Sequence, residues 1–211
     1  LYWNKLWPFS PSNSRKESQK ILSLWVKIII ACIPAAVIGL PLDDILDEYL
    51  STPTVIAAML ILYGILFIVL EAHNKKKNFD ITSTSRLDYK TAVLIGLFQC
   101  LSLIPGTSRS GATILGAMIL GCSRPVAAEF SFYLGIPVMF GAGFLKIVKH
   151  GLGFTGTQVF ILLFAMLVAF LVAMYTIKFL MKYIRKHDFT LFGYYRIVLG
   201  IIVLIYFHFI V

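Results

Sequence analysis

Apolar residues along this chain come in blocks, with polar stretches between them. Residues 21–40, 53–71, 157–181 and 191–211 are apolar almost throughout. Each is close to the ~20 residues a helix needs to cross a hydrocarbon core. Residues 124–149 form a further long block, opened by Ser123-Arg124-Pro125, with serine as a cap and proline in the first turn. Two shorter blocks, 89–104 and 108–121, hold 16 and 14 residues. Neither is long enough to span. Joined by a turn rich in proline and glycine, they predict a re-entrant hairpin whose tip stops inside the membrane. The pattern therefore predicts an all-α polytopic membrane protein, a single integral domain over residues 1–211, with five full spans plus one re-entrant hairpin.

The polar stretches orient these elements. Residues 1–20 read as a loop, with Trp3 and Trp7 suited to an interface. Residues 41–52 read as a solvated outer loop with a short helix. Its carboxylates, Asp43, Asp44, Asp47 and Glu48, lack a histidine or second cluster that would make them a metal site. Loops 1–20, 72–90 and 182–190 carry four, five and three Lys/Arg, whereas 41–52 carries none. Five crossings and one hairpin put the three basic loops on one side, which the positive-inside rule makes cytoplasmic. Arg196, early in the last span, is expected to snorkel to the nearby surface.

Composition sharpens this reading. The chain is 59% hydrophobic and 14% charged, which excludes an ordinary soluble domain. The net charge of +9 sits in short clusters between apolar runs, as membrane topology requires, so nucleic acid is not a predicted partner. Cys32, Cys100 and Cys122 form no CxxC or metal spacing and read as small packing residues. The chain opens on Leu1 with no signal peptide and is expected to be N-terminally incomplete. Residues 89–211 are a hairpin plus three crossings, while 1–88 hold two crossings. An inverted-repeat architecture would make 89–211 the second repeat and 1–88 the remainder of the first.

The candidate chemistry lies at the hairpin tip. Within 103–113 sit Pro105, Gly106, Thr107, Ser108, Arg109, Ser110, Gly111 and Thr113: a proline, two glycines, four hydroxyls and an arginine in apolar surroundings. An arginine at bilayer depth costs at least ~2.5–3.5 kcal/mol, so it needs a partner or a polar cavity. Gly106 and Gly111 let backbone approach a ligand. Ser108 opens an apolar helix whose first N–H groups attract anions. A guanidinium beside hydroxyls and free amides is a phosphate cradle. Glu129, in the second turn of the block at 124, reads either as a substrate-site carboxylate or as a structural partner for Arg124 or Arg109. His73, His150, His187 and His208 lie in loops or near span ends, away from the cradle in sequence.

The run from Gln99 through Leu103-Ile104-Pro105-Gly106-Thr107-Ser108-Arg109-Ser110-Gly111-Ala112-Thr113 resembles the signature of the undecaprenyl-diphosphate phosphatases, the bacitracin-resistance family. Arg124 to Glu129, with Ile136-Pro137 and Ile33-Pro34-Ala35-Ala36, extends the likeness over the whole chain. The resemblance implies a bacterial inner-membrane enzyme with interlocked inverted repeats. It removes the terminal phosphate of undecaprenyl diphosphate to recycle the carrier lipid for peptidoglycan synthesis, and its site opens to the outer side. Its partners would be a polyprenyl diphosphate lipid and the bilayer, with a homodimer allowed for.

Carried over by residue, Arg109 would grip the diphosphate, and Ser108 and Thr113 would hydrogen-bond phosphate oxygens. Gly106, Thr107, Ser110 and Gly111 would complete the cradle. The family's other motif, a Glu-rich stretch running into a Pro-x-Ser-Ser-x-Gly-His turn, is absent from these residues. The resemblance implies a divalent metal, Mg or Ca, with no ligands in this chain, and the chain alone is expected to be inactive. The rival function is a polyprenyl-phosphate transporter or flippase, since inverted repeats with broken helices also serve transport.

Overall fold

The computed structural model describes residues 2–10, 14–75, 77–151, 153 and 155–209. Its helices are α1 (Trp3–Leu6), α2 (Arg15–Leu50), α3 (Pro53–Asn74), α4 (Tyr89–Cys100), α5 (Arg109–Ile119), α6 (Arg124–His150), α7 (Gly156–Ile184) and α8 (Thr190–Phe209). By length and composition, five can cross a membrane: the Arg15–Gly39 part of α2, most of α6, and α3, α7 and α8. The chain is an all-α polytopic membrane protein.

The first span ends at Gly39, close to expectation, but the helix that carries it runs beyond both expected ends. Part of the predicted N-terminal loop is helical, because α2 begins at Arg15. Its start is a reciprocal cap: Ser14 N–H donates to Glu17 Oε2 at 2.8 Å, and Glu17 N–H donates to Ser14 Oγ at 3.3 Å. At the other end, the predicted outer loop is mostly the continuation of α2 to Leu50. Pro41 removes a donor, but no glycine or asparagine follows before Ser51 to turn the chain away. The side chains of Asp43, Asp44 and Asp47 lie outside the described residues. The next helix starts at once, with Thr52 Oγ1 accepting Val55 N–H at 3.3 Å and Pro53 in the first turn.

The hairpin is formed by α4 and α5, of 12 and 11 residues. At 1.5 Å per residue each is ~16–18 Å long, little more than half the ~30 Å hydrocarbon core. Both feet sit together. Ile81 N–H donates to Gly121 O at 3.1 Å, and Ser123 N–H donates to Ile81 O at 2.9 Å. The chain therefore leaves the membrane on the side where it entered. Asp88 Oδ1 caps α4 by accepting Thr91 N–H at 2.9 Å.

Packing around the hairpin sets where its tip lies. Helix α4 lies against α2, with Gly96 so close to Ala31 that a Cβ would be 2.2 Å from the Ala31 carbonyl oxygen. Helix α5 joins α6 through a buried hydroxyl pair, Thr113 Oγ1 and Ser131 Oγ, 2.7 Å apart. Ile28, Ile95, Met118, Phe130, Tyr133 and Leu134 are fully buried where these four helices meet. The most extensive helix contact is between α3 and α8. They run antiparallel through a small-residue seam: Gly64 packs on the Gly193 carbonyl, and Gly200 on that of Ala57.

One ionic clamp closes the end of the bundle that carries the basic loops. Glu71, at the end of α3, shares the Arg124 Nε–H between its two carboxylate oxygens at 2.9 Å each, and accepts a further bond from Arg124 Nη2 and one of 3.0 Å from Phe189 N–H. Its side chain is 1% exposed, so nearly every lone pair it buries is satisfied. The clamp ties α3, α6 and the α7–α8 connection together. Most of α7 stands away from this core, with Met181 and Ile184 its buried residues.

Candidate active site

The tip is built in four steps. The 3₁₀ turn Leu101–Leu103 ends α4, and Thr107 N–H donates back to Ile104 O at 3.2 Å. Gly106 then takes φ +89°, with Ile56 of α3 so near that a Cβ would sit 2.5 Å from its carbonyl oxygen. No other residue type fits that position. Ser108 follows at φ +68°, the one non-glycine residue with positive φ among the described residues. Such a conformation costs on the order of 1–3 kcal/mol and persists only where the surroundings enforce it. Here Ser108 caps α5: its Oγ accepts Gly111 N–H at 3.3 Å and lies 3.4 Å from Ser110 Oγ. The remaining first-turn amides of α5 point out of the helix end beside these hydroxyls.

Arg109 is the first residue of α5. Its guanidinium rests on α6 over Gly135, where an added Cβ would be 2.7 Å from Nη2 and 3.1 Å from Nη1. Nη1 is buried, and among the described residues it has no hydrogen-bond partner and Arg109 joins no ion pair. A buried, unpaired cation is costly unless an anion arrives. The two ion pairs of the described residues use other groups, Lys5–Glu129 and Arg124–Glu71.

A second arginine reaches the tip. Arg196 does not snorkel to the surface as expected. Its Nη2 donates to Gly106 O at 2.8 Å and Thr107 O at 3.0 Å, and its guanidinium lies over the Tyr63 ring, 5.7 Å from the centroid. The physical reason is the α3–α8 seam. Gly193 and Gly200 bring α8 against α3, and the nearest acceptors for the fork are then the two carbonyls that the sharp turn leaves free. Sequence reasoning missed this residue. The signal was there: an arginine within an apolar block is a functional hypothesis by default.

The other sequence candidates fall in two groups. Ser108, Ser110 and Gly111 share the first turn of α5 with Arg109, and Ser108 is exposed. Thr107 is fully buried, and its hydroxyl finds no partner among the described residues. Thr113 is turned toward α6. Its hydroxyl is hydrogen-bonded with Arg109 O at 3.0 Å, Ser110 O at 3.2 Å and Ser131 Oγ, and it is 1% exposed. Glu129 is bonded neither to Arg109 nor to Arg124. It accepts Lys5 Nζ at 2.6 Å and the Tyr133 hydroxyl.

Chemically the tip is a cation with donors and no base. Arg109 is the one ionisable side chain in 103–113. Among the described residues no group of three His, Cys, Asp or Glu gathers anywhere to hold a metal. A divalent cation needs oxygen ligands, several of them anionic, and is repelled by a guanidinium. The residues of the tip thus do not fit a resident metal. They fit a tetrahedral oxyanion.

Comparison with known proteins gives matches over nearly the whole chain. The family model described as "Bacitracin resistance protein BacA" matches residues 1–202. An undecaprenyl-diphosphatase of Acetivibrio thermocellus is 56% identical over 207 residues, covering 98% of this chain and 76% of the relative. One from Enterococcus faecalis is 53% identical over 210 residues, 97% of this chain and 75% of its own length. One from Streptococcus thermophilus is 56% identical over 209 residues, 98% and 73%.

Proposed function

The chain belongs to the BacA family of bacitracin resistance proteins, and on that premise we propose that its hairpin tip is the phosphate-gripping part of the active site. The reaction is hydrolysis of undecaprenyl diphosphate to undecaprenyl phosphate and inorganic phosphate. One water is consumed, a new P–O bond forms at the terminal phosphorus, and the bridging P–O bond breaks. The substrate is a polyprenyl diphosphate lipid met in the membrane. The curated relatives carry the hydrolase name, which favours this reading over a lipid transporter.

The observation that carries the proposal is the orphaned Nη1 of Arg109, buried beside the open first turn of α5. Arg109 donates to the non-bridging oxygens of the terminal phosphoryl group. The first-turn amides and the Ser108 and Ser110 hydroxyls donate to the remaining oxygens. This arrangement neutralises charge where it builds as the P–O bond breaks, usually the largest catalytic contribution. Arg196 holds the turn from behind through the Gly106 and Thr107 carbonyls. Thr113 fixes α5 to α6 through Ser131, so both act by positioning. Glu129, engaged with Lys5 and Tyr133, takes no part in gripping phosphate.

The proposal extends to location: the bacterial plasma membrane, with the site opening to the outer side. Its support is the packing of Gly106 on Ile56, in the first turn of α3, at the opposite end of that helix from Glu71 and the basic loops.

Phosphate release from undecaprenyl diphosphate in detergent tests the assignment. Arg109→Ala should lower kcat by on the order of 10³-fold or more. Arg109→Lys should recover little of it, because a point ammonium lacks the bidentate fork. Near-normal kcat in either variant would sink the role given to Arg109.

A further inference from the structure

We propose a second anion site, at the end of the bundle away from the hairpin tip, that binds the phosphate of an anionic phospholipid headgroup. A recess of about 460 Å³ opens there between the end of α3, the start of α6 and the end of α7. Lys75, Arg185 and Lys186 line it, are exposed, and join no ion pair among the described residues. Arg124 lines it too, already held by Glu71. The one acid in the lining is Asp188, whose Oδ1 is committed to Thr190 N–H at 3.1 Å at the start of α8. Lys75, Arg185 and Lys186 outnumber that carboxylate three to one, so the recess is a concave surface of net positive charge.

Its position selects a lipid over a soluble phosphate. Three membrane-length helices end or begin at the recess, so it lies at the depth of the headgroups. Tyr183, also in the lining, stacks on His187 with ring centroids 4.5 Å apart, giving the cations an aromatic back wall. From there the exposed apolar side of α7, with Phe179 59% and Tyr175 75% exposed, leads into the hydrocarbon and offers a track for an acyl chain. Basic recesses between transmembrane helices on the cytoplasmic side suit anionic headgroups in general. The recess shares no residue with the hairpin tip.

The test is thermal unfolding of the purified protein in neutral detergent, titrated with short-chain phosphatidylglycerol, short-chain phosphatidylcholine or inorganic phosphate. Phosphatidylglycerol should raise the midpoint saturably, and phosphatidylcholine should not. Each interfacial cation contributes about a fivefold preference, so Lys75→Gln/Arg185→Gln/Lys186→Gln should weaken the phosphatidylglycerol response on the order of a hundredfold. Lys75→Arg/Lys186→Arg should preserve it. Should the triple variant fail to fold, Lys186→Glu alone must still shift the titration to higher lipid. Equal stabilisation by the two lipids, or an unchanged response in the charge-removal variants, overturns the site. Saturation by inorganic phosphate alone, matching phosphatidylglycerol, overturns the assignment to lipid.

Discussion

A guanidinium placed inside a membrane protein without a counter-ion needs a space shaped for it. Gly135 supplies that space for Arg109. An alanine there would put its Cβ 2.7 Å from Nη2, the far end of a flexible side chain. The helix can absorb the substitution by displacing the guanidinium, so Gly135→Ala should leave thermal stability almost unchanged. Turnover should fall ~10–100-fold, since a misplacement approaching 1 Å costs that much in an oriented site. Loss of folding together with activity would mean that Gly135 serves packing alone. Arg109, Ser108 and Gly106 were legible in the sequence because a polar cluster in an apolar block has few structural explanations. Arg196 stood out as an arginine within an apolar block, but where it points was not legible, because one arginine near the start of a span is ordinarily free to reach the interface. What redirects it is a seam between α3 and α8, and that pairing is a tertiary fact.

Among the elements, the hairpin was readable from length alone, since two apolar helices of half-membrane size can only enter and return. The helix of the first span is longer than expected at both ends, although the span itself ends at Gly39. Its start carries a Ser14-x-x-Glu17 box, visible in the sequence but obscured by the basic, proline-containing stretch around it. Its extension past Pro41 follows from the lack of any stop signal before Ser51, against which the acidic composition of that stretch was a weaker cue. The α3–α8 seam carries a prediction of its own. Gly64→Val would force side-chain atoms into the Gly193 carbonyl and Ile197, because a Cβ alone comes within 2.7 Å of both. Overpacking of this kind costs ~1–3 kcal/mol. Unfolding in detergent should shift accordingly, and activity should fall with it, as α8 carries Arg196 away from the turn. An unchanged midpoint would show that the two helices are not in this register.

Taken as a whole, the molecule is polarised. One end holds the Glu71–Arg124 clamp, the hairpin feet and the basic recess, and the hairpin tip points away from them toward the first turn of α3. The sorting of positive charge into alternate loops was legible because it is a property of composition along the chain. The pairing of Glu71 with Arg124, and of Glu129 with Lys5, was not, because partners 53 and 124 residues apart meet only once the helices pack. Single cysteines placed at Ser85 and at Lys186 should both react with a membrane-impermeant thiol reagent from the cytoplasmic side only. Labelling of either from outside would break the polarity. The central claim, that the tip exists to hold a phosphate on Arg109, is tested most directly by a structure with a non-hydrolysable methylene analogue of a polyprenyl diphosphate bound. The account predicts the terminal phosphonate on the α5 N-terminus, within hydrogen-bond distance of Arg109 Nη1 and the Ser108 hydroxyl. A phosphonate bound elsewhere, with Nη1 still unpartnered, would contradict it.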